Sequence, residues 1–179
     1  GLSDKAAGDL SHEAVFDYFA SQILRDASAD VRQVLMRTSL FGSFSLAMAE
    51  SVSEHANCRA LLEGLCDRQL FTYRKTWRGP TYQYHDLFRE FLRRNLEAAC
   101  SAEELRTLQC RAGRLLVEME LPLEALPLLC SSEDWSAAIA AIVQAAPTLL
   151  AQGRWQTLQE WIERLPGKIT DSDPWLLYW

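Results

Sequence analysis

His85 is the residue whose setting suggests chemistry. It stands within TYQYHDLFREFLRR (Thr81–Arg94), where an aromatic run with strand character gives way to a helical stripe of Leu87, Phe88, Phe91, Leu92 and Leu96. A helix start offers unpaired N–H groups and the positive end of the dipole, which together suit a phosphate. The same field disfavours an imidazolium, so His85 in that place would be a neutral hydrogen-bond donor. A histidine there can also serve only to tie strand to helix, and residue types alone favour that plainer reading.

The other constellations are weaker. The sequence has no GxxxxGK followed by Ser or Thr and no GxGxxG. Gly167-Lys168-Ile169-Thr170 has only the tail of the first, without its leading glycine or an introductory strand, and reads as a turn. HExxH, CxxC and GxSxG are absent as well. His55 and Cys58, with Cys66 further on, fit no zinc spacing, and Cys66 reads as packed in its helix. The carboxylate pairs Glu103-Glu104 and Glu133-Asp134 fall at helix starts, where they complement the dipole. No catalytic residue and no metal site is therefore expected. Arg74, Lys75, Arg78, Arg89, Arg93 and Arg94 cluster around the joint and could reach DNA phosphates. A solvated face is the preferred reading, because 24 Asp and Glu against 18 Lys and Arg leave a net charge of −6.

With 49% hydrophobic and 23% charged residues, the composition is that of a globular chain with a normal core. The longest apolar runs, such as Ala137–Val143, are too short to cross a bilayer, and the N-terminus has no signal-peptide pattern. Five cysteines without a framework spacing read as free thiols in a reducing cytosol, so a cytoplasmic setting without a membrane partner is expected.

The elements that must position His85 can be laid out from periodicity. Ser11 to about Ala27 is an amphipathic helix with Val15, Phe16, Phe19 and Ile23 on one stripe. Ser28 and Asp30 can cap the next, which turns Val31, Val34, Leu35 and Thr38 inward. Phe41-Gly42-Ser43 breaks the pattern, a short helix covers Ser45–Ser53, and Asn57 can cap a helix to about Gln69. Leu70–Thr76 and Thr81–Tyr84 then read as two strands joined by turn residues Trp77-Arg78-Gly79-Pro80. Helices followed by a two-stranded hairpin make a winged helix, and the helix from His85 to about Ala99 is appended to it.

Beyond it the pattern is helical throughout. Ser101-x-x-Glu104 is a capping box, and short helices follow over Leu123–Cys130, Asp134–Val143, Pro147–Ala151 and Trp155–Leu165. Gly153 stands where a helix C-cap would be. Trp135, Trp155 and Trp175 fall near successive helix starts, which hints at a helical half-repeat with tryptophans as wedges. The expected fold is mainly α. A winged-helix domain with its appended helix occupies residues 1–99, and a tetratricopeptide-like helical array begins at 100–179. The run Trp175–Trp179 stops as it starts and Gly1 reads as a cloning remnant, so the chain is expected to be an excised piece.

YHDLFREFLRR, preceded by LxxLxxRQLF at Leu62–Phe71, resembles the linker between ATPase core and helical repeats in MalT-type, LuxR-family transcriptional regulators. HEAVFDYFASQIL (His12–Leu24), VRQVLMRTSLF (Val31–Phe41) and DPWLLYW (Asp173–Trp179) are similar to further signatures of the same family, in the same order. These bacterial proteins are large ATP-binding regulators of the STAND class. The resemblance implies a winged helix that packs on the nucleotide-binding domain of its own polypeptide and helps hold an ADP-bound resting state. It implies a superhelix that senses an inducer or regulatory protein, and DNA binding only through a C-terminal helix-turn-helix that this sequence lacks. His85 matches a histidine that reaches the nucleotide phosphate in related ATPases. ATP or ADP would then belong to the parent protein, and this segment, without Walker motifs, would hold no cofactor and hydrolyse nothing. The alternative is a stand-alone winged-helix DNA-binding protein.

Overall fold

A computed structural model describes residues 16–68, 70–75 and 79–167. The chain forms two compact units, Gly1–Ala99 and Cys100–Trp179.

In the first unit, α1 is helical over residues 16–26, and α2 (Ala29–Thr38) starts at Ser28, whose Oγ accepts the Val31 N–H at 3.3 Å. A two-residue strand β1 (Phe44–Ser45), α3 (Leu46–Ser53) and α4 (Cys58–Asp67) follow. Strands β2 (Thr72–Lys75) and β3 (Thr81–Tyr84) then lead to α5 (Asp86–Ala99). The sheet is antiparallel in the order β1–β3–β2, with Phe44 opposite Tyr82 and Thr72 opposite Tyr84. The unit is therefore a winged helix with a third strand that periodicity did not reveal. Phe41-Gly42-Ser43 does interrupt the helices, but the residues after it pair with the wing. Ser45 serves twice, as the end of β1 and as the N-cap of α3, accepting the Met48 N–H at 3.3 Å.

Aromatic rings fill the space between sheet and helices. Phe44 packs on Tyr82 and Tyr84, Tyr84 meets Phe88 edge-on, and Phe41, Phe44, Tyr82, Tyr84 and Phe88 are all buried. The helix faces differ from expectation in one place. Ala20 and Leu24 are the buried positions of α1, while Phe19 is 56% exposed beside the exposed Tyr18. A small alanine lets α1 approach closely, and the stripe shifts by one residue. Val15 lies outside the described residues, as do Gln69 and the turn residues Trp77 and Arg78. Asn57 precedes α4 but makes no capping bond.

The second unit holds α6 (Ala102–Glu118), α7 (Pro122–Ser131), α8 (Trp135–Ala151) and α9 (Trp155–Glu163). The capping box at Ser101 is fully formed: Ser101 Oγ accepts the Glu104 N–H, and Glu104 Oε2 accepts the Ser101 N–H at 2.8 Å. The expected break before Pro147 is absent, and α8 runs through that proline as one helix. Losing one N–H costs the helix a bond. Ala138, Ala141, Ile142, Ala145, Ala146 and Leu149 are nonetheless all buried along one face, and their packing holds the helix together.

Three successive helix-to-helix turns share one geometry. Glu120, Glu133 and Gly153 each adopt positive φ, and the following residue (Leu121, Asp134, Arg154) donates its N–H back to a buried leucine carbonyl at Leu116, Leu129 or Leu149. Gly113 lets α6 and α7 touch, since a Cβ there would meet the buried Leu129 side chain at 2.6 Å. Trp135 and Trp155 are each the first residue of a helix, but Trp155 is 56% exposed and not a wedge. Trp175, the DPWLLYW run and Lys168–Thr170 lie outside the described residues.

Candidate functional site at the strand-to-helix joint

His85 occupies the N-cap position of α5, between the last residue of β3 and Asp86. Its N–H donates to the Phe71 carbonyl at 2.8 Å, and its own carbonyl accepts the Arg89 N–H at 2.9 Å, as a helix-starting residue should. The ring caps the helix as well: Nδ1 accepts the Leu87 N–H at 3.3 Å. A ring nitrogen that accepts is bare, so the neutral ring carries its proton on Nε2. Among the described residues Nε2 has no hydrogen-bond partner, and the side chain is exposed.

Two phenylalanines pack together on one side of this ring. Phe71 lies 6.5 Å from it and Phe16 6.1 Å, and the two rings pack on each other at 4.8 Å. Phe71 also reaches into the core against Phe88 at 5.6 Å. Its backbone has φ +51°, which costs an aromatic residue about 1–3 kcal/mol and persists only when neighbours enforce it. That conformation aims the Phe71 carbonyl at His85. Neither phenylalanine stood out in the sequence as part of a site, because a positive φ leaves no mark on residue type.

Tyr84 and Asp86 flank His85 in different ways. Tyr84 is fully buried with its hydroxyl 2.7 Å from Thr38 Oγ1, and burial pushes its ionisation far above the ordinary range. Asp86 is exposed in the first turn of α5 and complements its dipole. A second anion there would meet that carboxylate, so His85 can contribute one donor to a phosphate held mainly by other groups. It does not make an anion site alone.

Among the described residues the basic cluster does not form a continuous nucleic-acid face. Arg74 and Lys75 are exposed on β2, but Arg89 Nε donates to the Ser39 carbonyl at 3.1 Å and Arg94 pairs with Asp17 at 3.3 Å. Along α5, Arg89, Arg93 and Arg94 share one surface groove with Asp86, Glu90 and Glu97, so the signs cancel. Arg78 lies outside the described residues. In a DNA-binding winged helix the helix before the wing enters the major groove. Here that helix is α4, CRALLEGLCD, whose charges are Arg59, Glu63 and Asp67, with Arg59 already paired to Glu63 at 3.7 Å. Its exposed residues are Arg59, Ala60 and Asp67, which offer phosphates no net positive charge.

Cys58 is a structural thiol. Cys58 is buried, donates from Sγ to the His55 carbonyl at 3.1 Å and lies 3.3 Å from Ser53 Oγ; burial raises its thiol. Among the described residues no group of three His, Cys, Asp or Glu is disposed to hold a metal ion, and no helix is long and apolar enough to cross a membrane. In the second unit, Asp134 gathers three partners that the sequence did not connect. Its carboxylate accepts from Arg114 Nε at 2.7 Å, Cys110 Sγ at 3.2 Å and the Ala137 N–H at 3.4 Å, and the arginine holds it below the usual carboxylate range.

A known family model, that of the MalT winged helix domain, matches residues 20–104, from α1 into the start of α6. Over those residues the chain is similar to the MalT winged helix domain family. Similarity to MalT proteins extends beyond those residues through the second unit. The HTH-type transcriptional regulator MalT of Vibrio parahaemolyticus is 22% identical over 170 residues, covering 95% of this chain and 19% of that protein. The MalT protein of Serratia proteamaculans is 27% identical over 172 residues, with 96% of this chain and 19% of the relative covered. The serine/threonine-protein kinase PknK of Mycobacterium tuberculosis is 26% identical over 172 residues, 96% of this chain and 15% of the kinase. The chain thus spans about a fifth or less of the relatives it matches (19% and 15%).

Proposed function

We propose that this chain is a regulatory segment of a MalT-family, ATP-dependent transcriptional regulator, in which the winged helix reads the nucleotide state of a neighbouring domain and the helical unit begins a tetratricopeptide-like sensor arm. One observation carries the reading. Among the described residues the Nε2 donor of His85 has no hydrogen-bond partner at the strand-to-helix joint, while its Nδ1 is committed to capping α5.

His85 would donate from Nε2 to a phosphate oxygen of ADP held by the nucleotide-binding domain of the same polypeptide. The bound nucleotide supplies the negative charge that distinguishes resting from assembly-competent forms. Through β3 and α5 the contact would bias a two-state equilibrium, to which an inducer or regulatory protein on the helical arm is coupled. The output, DNA binding or another activity, would lie in other parts of the polypeptide. The match to both a transcriptional regulator and a protein kinase supports that division, since one segment accompanies two different outputs.

The stand-alone DNA-binding alternative has against it the acidic α4 and the internally paired arginines. Gel shifts of the chain at low and physiological salt separate the two. The regulatory reading expects no retarded complex at either salt, whereas tight binding with a steep salt slope would favour the alternative. In the full-length protein, His85→Ala is expected to raise basal activation in a reporter assay. Unchanged basal activity would remove His85 from the mechanism.

A further inference from the structure

We propose that Phe71, with Phe16, is a positioning residue for His85: the pair fixes the imidazole as a helix cap with its Nε2–H facing solvent. The inference rests on the nucleotide reading only for its consequence, not for its geometry.

Three observations meet here. Phe71 holds φ +51°, a conformation that an aromatic residue keeps only when its surroundings enforce it, and its carbonyl takes the His85 N–H at 2.8 Å. Its ring bridges the core and the histidine, with Phe88 at 5.6 Å on one side and His85 at 6.5 Å on the other. Phe16 packs on the same side, 6.1 Å from the imidazole and 4.8 Å from Phe71, so the two rings make one aromatic wall against it. An exposed N-cap histidine without such a wall could rotate about its side-chain bonds, release the Leu87 N–H and move its proton between nitrogens. With it, one rotamer and one tautomer persist, and the donor is already oriented before any ligand arrives. The arrangement also ties α1 to the joint, since Phe16 lies on that helix. A shift of α1 would therefore alter the direction of the His85 donor.

The test uses the chain itself and the full-length protein. In the chain, hydrogen exchange of the Leu87 amide reports the Nδ1 cap, and nitrogen chemical shifts of the His85 ring at about pH 8.5, roughly two units above the ordinary imidazole range, report the tautomer. Phe71→Leu and Phe16→Leu are each expected to speed Leu87 exchange about fivefold relative to the neighbouring amides of α5 and to mix the tautomers, the size of one lost neutral hydrogen bond. Phe16→Leu leaves the strained backbone untouched, so it still reads the proposal if Phe71→Leu unfolds the chain. Leu87 protection and ring shifts that stay at wild-type values in a folded Phe71→Leu or Phe16→Leu chain would overturn it. In the full-length protein, Phe71→Leu should release ADP about threefold faster, and His85→Ala about tenfold faster or more. If the ring loosens in the chain but neither variant changes ADP release, the positioning role stands and the nucleotide reading fails.

Discussion

The buried hydroxyl pair of Thr38 and Tyr84 links α2 to β3, the strand that delivers His85, and its two halves are not equivalent. Thr38 Oγ1 also donates to the Val34 carbonyl at 2.7 Å, so removing the tyrosine hydroxyl leaves the threonine satisfied. Tyr84→Phe should then cost only the net value of one neutral hydrogen bond, about 0.5–1.5 kcal/mol. Thr38→Val keeps the shape but leaves a phenol hydroxyl at 1% exposure without a partner, which should cost about 1–3 kcal/mol. The double variant removes both groups together and should lose less than the sum, by roughly 1 kcal/mol. Urea titration followed by amide cross-peaks of residues 16–99 isolates this unit from the rest of the chain. A pH series adds a sign. The Tyr84 ionisation is raised in the fold, so its contribution is complete below the ordinary value of 10.0 and is lost as pH climbs above it. Tyr84→Phe should flatten that alkaline decline. If Tyr84→Phe proves as costly as Thr38→Val, or the two add without coupling, the satisfaction argument is wrong.

The repeated turn of the second unit predicts opposite signs at equivalent positions. Gly153→Ala should destabilise by about 1 kcal/mol because φ is +69°, whereas Glu120→Gly, at φ +60°, should be neutral to stabilising; thermal midpoints of the two variants check this. Asp134 is held below the ordinary carboxylate range, chiefly by Arg114, so its contribution is present above that range and lost as pH falls through the lowered value. Asp134→Asn keeps the cap and loses the ion pair to an exposed arginine, so it should cost little stability at neutral pH and flatten the acid limb of a stability–pH curve.

Much of the joint was readable because its signals are local. A switch from aromatic strand residues to the Leu87–Leu96 stripe placed His85 at a helix start, and the capping box at Ser101 announced α6. What escaped depended on tertiary partners. A two-residue strand such as β1 is too short to carry a period, and only its pairing with Tyr82 defines it. Phe19 outranks Ala20 in any hydrophobicity count, yet close helix approach favours the smaller residue inside. Pro147 signals a break that packing of α8 overrides. The positive φ values of Phe71, Glu120 and Glu133 fall on residues that give no hint of them, unlike Gly153. The acidic character of α4 was countable from the sequence, but it mattered only once the topology put that helix before the wing.

The account turns on whether a winged helix of this kind touches a nucleotide held by another domain. The most direct measurement is the ADP content of the full-length protein as purified, wild type against His85→Ala. The account predicts a wild-type protein that retains ADP and a variant that loses most of it on gel filtration. Equal ADP retention in both proteins would contradict it.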